Sequence, residues 1–340
     1  MLQSLAKIAV TLNLDRFANM VAERFYKNTS DPHVRFSTRF QVLTYHRVSP
    51  EAHPYFEPIH PGAFEEQIQF LKCCYRVMSL TDLVYRSQRG ELPDRAVAIT
   101  FDDGYRDNYE FAFPILKKYQ VPATIFVATG VIGTGRALWH DRIFDAFRFA
   151  TVKRVYVSDD HVRELVLEPA EARHRSLELA LARARGLYGE AQRQWIEEVE
   201  GRLKPDFSIG YSPGMLDWGQ IREMHAAGIE FGSHTVTHPI LSRIPHDELF
   251  KEVQESKQQL CEQLGTQILS FAYPNGKASD YNGGVKSMLK ECGYVCAVTT
   301  QPGFNRSFSD PFELKRGRPW QNDIDLFRFS FFLQRHGLAS

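Results

Sequence analysis

The chain has no net charge, its 340 residues carrying 41 Lys plus Arg against 41 Asp plus Glu. Without a basic excess, nonspecific attraction to nucleic-acid phosphates is excluded as the organising theme, and no nucleic-acid partner is expected. The chain also lacks any uninterrupted run of the roughly 18 apolar residues that a membrane-spanning helix needs. Cysteine is scarce: five residues, at 73, 74, 261, 292 and 296, with no CxxC pair. An odd count with two adjacent thiols argues against a secreted disulfide framework and a cysteine-rich zinc site. The opening MLQSLAKIAVTLNLDRF makes a poor secretion signal, because its apolar part is broken by Thr11 and Asn13 and no small-x-small cleavage site follows. A soluble protein kept in the cytoplasm is the expectation. Internal repeats and low-complexity tracts are absent too. What remains is ordinary globular composition, 43% hydrophobic and 24% charged, enough for one large domain or two smaller ones.

Residues 2–27 place Leu2, Leu5, Ile8 and Leu12, then Phe17, Met20, Val21 and Phe25, at helical spacing. Residues 1–38 are read as a helical extension. It is expected to pack on its own domain, with peripheral contact to the inner membrane face as the alternative. From Arg39 onward, β-rich runs alternate with helical stretches. The strand candidates are 40–45, 96–101, 123–128, 229–232, 268–272, 294–298 and 313–318. The helix candidates are 61–73, 80–87, 109–119, 218–227, 246–264 and 282–292. Such alternation predicts an α/β fold, a mostly parallel sheet or barrel with helices outside, and places chemistry at the C-terminal ends of strands. Residues 136–212 break the rhythm. A hairpin over 153–168 and one or two exposed amphipathic helices over 169–204 read as an insertion. The main domain is expected to run to residue 330, with 331–340 as a tail.

Two motifs satisfy the strand-end requirement. Ala98-Ile99-Thr100-Phe101-Asp102-Asp103-Gly104 is an apolar strand ending in two adjacent carboxylates and a glycine. Neighbouring side chains of an extended chain point opposite ways, so the two Asp can serve separate roles, one on a metal and one receiving a proton. Ile229 to Pro239 is a second apolar strand, running into His234 and His238. Two imidazoles and one carboxylate, with positions left for water and substrate, form a recurring hydrolytic metal site. Pro239 biases His238 away from helical geometry, so the pair belongs to a loop.

Thr100–Gly104, the His234-x-x-x-His238 loop after Phe231-Gly232-Ser233, and Phe271-Ala272-Tyr273-Pro274-Asn275-Gly276 resemble, in order and spacing, three motifs of the polysaccharide deacetylases. This is the NodB-homology group, carbohydrate esterase family 4, and the resemblance covers roughly residues 39–330. It implies a distorted (β/α) barrel with the 136–212 segment inserted. It further implies one divalent metal ion, zinc first with nickel, cobalt or iron as alternatives, on Asp103, His234 and His238, and Asp102 as general base. By motif position, the Asn275 N–H in the Tyr273–Gly276 turn would face a developing oxyanion, and Tyr273 is expected beside it as a substrate or oxyanion contact.

The departures matter as well. Ala272 stands where many members carry Arg, and the usual C-terminal Leu-x-His is missing. Instead, Val42-Leu43-Thr44-Tyr45-His46-Arg47-Val48 ends the first strand. This resembles the poly-β-1,6-N-acetylglucosamine deacetylase subgroup, which implies His46 as the acid. In Leu314-Lys315-Arg316-Gly317-Arg318, alternation points Arg316 and Arg318 to one face. The subgroup resemblance favours Arg316 as the residue orienting Asp102. Trp139 is expected to stack a sugar or pack the cleft, His140 to add a polar contact, and Tyr105 and Arg106 to sit near the rim. The resemblance implies de-N-acetylation of amino sugars in a polysaccharide, oligosaccharide or lipid-linked precursor. The alternatives are hydrolysis of formyl or other non-peptide amides on the same site, and a catalytically silent glycan-binding protein.

Overall fold

The computed structural model describes residues 39–209, 214–319 and 321–336. The expected helix over 2–27 lies outside them. The first strand, β1 (Arg39–Tyr45), leads through α1 (Pro61–Cys74), β2 (Arg76–Met78) and α2 (Leu80–Arg89) to β3 (Ala96–Phe101). A wide turn at Asn108–Ala112 opens α3 (Phe113–Tyr119). Pro114 cannot donate, and the Phe113 N–H reaches back to the Asn108 carbonyl. After β4 (Thr124–Val127) comes the inserted region: α4 (Trp139–Arg148), the hairpin β5 (Arg154–Tyr156) and β6 (Glu164–Val166), then α5 (Ala170–Arg185) and α6 (Gly189–Leu203). The β/α rhythm resumes with α7 (Trp218–Ala226), β7 (Glu230–Ser233), α8 (His246–Leu264), β8 (Ser270–Ala272), α9 (Gly283–Glu291), β9 (Cys296–Val298) and β10 (Asn305–Arg306), ending in α10 (Ile324–His336).

The strands β1-β3-β4-β7-β8-β9 pair in parallel in that order, β2 also joins β3, and β10 lies antiparallel on β1. The expected strand at 313–318 is not a regular one. It makes single parallel bridges, Leu314 to Val298 and Gly317 to Leu43, because the Lys315 and Arg316 N–H groups go instead to the Asn305 side chain and the Gln301 carbonyl. Those two bridges carry the curl of the sheet from β9 back to β1, so the α/β fold is a distorted barrel.

Strand alternation splits the apolar residues into two cores. Leu43, Val97, Ile99, Ile125, Phe231 and Phe271 pack outward against helical residues such as Phe64, Leu116, Val253 and Leu289. Val42, Ala98, Phe126, Ala272, Val298 and Leu314 form the other face with Leu80 and Leu83 of α2, and line the barrel interior. The insertion has a core of its own, where Phe147, Leu165, Leu181, Trp195 and Val199 are buried. The two helices expected to be exposed therefore bury one face each. The boundary expected at 330 falls inside α10. That helix continues because Phe327 and Phe331, stacked at 5.6 Å, are both buried against the barrel core. The Phe331 carbonyl also accepts from Gln41 Nε2 of β1. Among the described residues no helix is long and apolar enough to cross a membrane.

Replacing Phe331 by Ala should therefore behave as a core truncation rather than a tail edit. A loss of about 3–5 kcal/mol is expected, read as a lower urea midpoint with an unchanged slope.

Candidate active site

The interior rows of the barrel staves end in one cavity. Val42, Thr44 and His46 share a face, as do Ala98, Thr100 and Asp102, then Gly232 and His234, Val298 and Thr300, and Leu314, Arg316 and Arg318. Thr44, His46, Asp102, His234, Thr300 and Arg318 line a cavity of about 210 Å³. By strict alternation Asp103 would point away from it. It lines the cavity nonetheless, because its backbone is left-handed, with φ of 76°. Gly104 follows with φ of 86°, where an added Cβ would lie 2.9 Å from Val127 Cγ1, so only glycine fits the turn. Both carboxylates therefore enter one site, contrary to the opposite-facing geometry expected of an extended pair.

Asp103, His234 and His238 are buried, with ligand atoms within 4.8 Å of one another. Asp103 Oδ1 lies 3.4 Å from the Nε2 atoms of both histidines. Two atoms bound tetrahedrally to one ion at ~2.1 Å lie about 3.4 Å apart, so the donor set fits a small divalent cation. His234 Nδ1 lies 2.7 Å from the Ala272 carbonyl. A carbonyl only accepts, so Nδ1 carries the proton and Nε2 presents its lone pair to the site. The His234–His238 loop is held from behind by Glu252 of α8, whose carboxylate accepts from the Val236 and Thr237 N–H groups and the Thr237 hydroxyl. This support offsets unfavourable backbone. Among the described residues, seven non-glycine positions have positive φ, and Asp103, Thr235, His238 and Asn275 of this site are four of them.

Asp102 meets a fully buried guanidinium. Arg316 Nη1 and Nη2 donate to Oδ1 at 2.7 Å and Oδ2 at 2.6 Å. The same side chain donates to the Thr299 carbonyl and the Thr100 hydroxyl. Burial alone would push the Asp102 carboxyl up, but Arg316 holds it below the ordinary carboxylate range. Arg318 lines the mouth instead and donates to the Thr300 carbonyl. His46 Nε2 stands 3.9 Å from Asp102 Oδ2, and burial lowers its pKa.

Asn275 lines the cavity, and among the described residues no acceptor engages its N–H. Tyr273 is not at the cavity. One residue past Ala272 in alternation, it faces outward, stacks on Tyr281 at 4.2 Å and donates to the Phe312 carbonyl. Trp139 both packs in the insertion core and lines the cavity, and its Nε1 donates to the His238 carbonyl. His140 lines it too, 3.3 Å from the Tyr105 hydroxyl. Tyr105 is not at the rim but fully buried, donating to Asp141. Arg106 is exposed and does not line the cavity.

The sequence model of the polysaccharide deacetylases matches residues 89–297. The chain belongs to the polysaccharide deacetylase family. Among curated members it is similar to the poly-β-1,6-N-acetyl-D-glucosamine N-deacetylases of Staphylococcus aureus, 45% identical over 76 residues, and Staphylococcus epidermidis, 42% over 72 residues. The first match covers 22% of the chain and 26% of that relative, and the second 21% and 25%, so the chain spans about a quarter of each. The Streptococcus pyogenes deacetylase PplD in complex with acetate shares the fold, with a TM-score of 0.57 and 24% identity over 83% of this chain and 92% of that one. IcaB from Ammonifex degensii does so with a TM-score of 0.56 and 22% identity over 87% and 97%. Phe56, Phe144 and Arg185 also line the cavity, and the sequence reading missed them. They come from a loop and from the insertion, where no strand-end pattern marks them.

Two outcomes follow from this geometry. Arg316→Met should cost about 3–5 kcal/mol in urea unfolding by leaving a buried carboxylate uncompensated, whereas Arg318→Met should change the midpoint little. Glu252→Ala should weaken divalent-ion affinity roughly tenfold or more in calorimetric titration, through the loop alone.

Proposed function

We propose that the protein hydrolyses N-acetyl groups from amino sugars of a glycan, whether polysaccharide, oligosaccharide or lipid-linked precursor, with one divalent ion, zinc first, on Asp103, His234 and His238. The observation that carries this reading is the pairing of roles at adjacent positions: Asp102 is clamped ionised by Arg316 beside the Asp103 triad.

A bound divalent ion supplies Lewis-acid polarisation of the acyl carbonyl and a more acidic water. The remaining work belongs to the chain. Asp102, ionised at neutral pH and fixed by the guanidinium fork, accepts the proton released as water attacks the amide carbon. The carbonyl oxygen gains charge near the Asn275 N–H, which supports it. His46 borders Asp102 on the open side and delivers a proton to the departing amine as the C–N bond breaks. Burial makes its imidazolium a readier donor, since a lowered pKa means an easier release. Trp139 and Phe144 offer flat apolar walls for a sugar ring.

The test is acetate release from N-acetylglucosamine oligosaccharides by the metal-loaded full chain. Wild type should release acetate, and His46→Ala should slow it about 10²–10⁴-fold with the ion retained. Asp102→Asn should retain the ion without turnover, with its stability checked because Arg316 then lacks a counter-charge. His234→Ala should lose the ion. Formate release from N-formylated sugars with no acetate release would replace this reading by the deformylase one.

A further inference from the structure

The mechanism leaves two cavity charges unused, Arg185 and Arg318, and Arg318 already donates to the Thr300 carbonyl. Arg185, the last residue of α5, lines the catalytic cavity. Among the described residues its guanidinium has no hydrogen-bond or ion-pair partner. Its main chain is fixed, because its carbonyl accepts from Arg243 Nη1 of the barrel at 3.0 Å. The next residue, Gly186, closes the helix through bonds to Ala182 and Arg183. A cation in a final helical turn ordinarily favours the helix dipole, but that accounts only for its place in sequence. Neighbouring arginines of the insertion are engaged within it: Arg183 with Asp159, Arg142 with Glu200, Arg193 with Glu190. Arg185 is aimed into the site instead.

The charge balance of the cavity sharpens the point. Its two carboxylates are already answered, Asp102 by Arg316 and Asp103 by the triad that would hold the divalent ion. Arg185 and Arg318 then stand as positive charge at the walls. A neutral amino-sugar chain offers the half-buried Arg185 guanidinium hydroxyl and carbonyl acceptors but no counter-charge, whereas carboxylate and phosphate match both its charge and its fork of donors.

Resting on the deacetylase reading, we infer that the natural substrate carries an oxyanion beside its N-acetyl group and that Arg185 recognises it. A cavity of about 210 Å³ is small for a ligand site and suits a single sugar unit. The anion therefore sits on that sugar or at the linkage to its neighbour. A uronate carboxylate and a sugar-linked phosphate present the same chemistry, and the probes below separate them.

The experiment is calorimetric titration of the metal-loaded full chain with N-acetylglucosamine, N-acetylglucosamine 1-phosphate and a disaccharide of glucuronate and N-acetylglucosamine. Acetate release is followed on the same ligands. One of the anionic ligands should bind about 10- to 100-fold more tightly than the neutral sugar, and which one does identifies the source. That ratio should collapse in Arg185→Met and return in part in Arg185→Lys, which keeps charge without the fork. Equal affinity for neutral and anionic ligands, no binding of either anion, or a ratio unchanged in Arg185→Met would each overturn the inference. Because binding is read without turnover, a retained anion preference with no acetate release would reject the deacetylase reading alone.

Discussion

The bidentate contact between Arg316 and Asp102 is the constraint on which the rest of the site depends. It joins the last stave of the barrel to the third strand across more than two hundred residues of sequence. The same guanidinium also ties the Thr299 carbonyl beyond β9 and Thr100 of β3. Removing either partner would strand a charge in a nearly water-free interior, where an uncompensated ion is far costlier than the matched pair. Barrel closure and the ionisation state of Asp102 are thus one feature. The irregular 314–317 segment tolerates its interrupted ladder because this side chain fastens it where backbone bonding does not.

A second constraint is the conflict between strand geometry and the need for several polar groups at one point. Period-two alternation delivers Thr44, His46, Asp102, His234 and Thr300 inward without special arrangement. It does not deliver Asp103, His238 or Asn275, and these residues have left-handed backbone. The strain is concentrated where it re-aims a group, and neighbours over-determine it: Gly104 after Asp103, Glu252 behind the His234–His238 loop, and the Thr235 hydroxyl accepting from the His238 N–H.

Much of this was legible in the sequence, for physical reasons. The abrupt change from apolar strand to polar loop at Phe101 and Gly232 marked the strand ends, and alternation from Leu314 placed Arg316 and Arg318 on one face. The choice between them needed three dimensions, since only Arg316 lies deep enough to reach Asp102. Alternation also places Tyr273 outward once Ala272 is inward, and it is found there. Phe327 and Phe331 repeat at helical spacing, so the burial of α10 was implicit too. Arg185 could not be read, because the periodicity of α5 describes its packing within the insertion and not which way its end faces the barrel.

The distribution of these groups along the chain has a consequence for biosynthesis. A ribosome releases the Asp103, His234 and His238 triad well before Arg316. Until the closing stave emerges, Asp102 has no counter-charge, and the Val42 carbonyl and Thr44 N–H of β1, beyond the reach of β10, lack the bonds that Gly317 later makes. The nascent polypeptide therefore holds most of its chemistry in an open-edged sheet, vulnerable to wrong strand pairing. The clamp on Asp102 can form only once Arg316 has been translated.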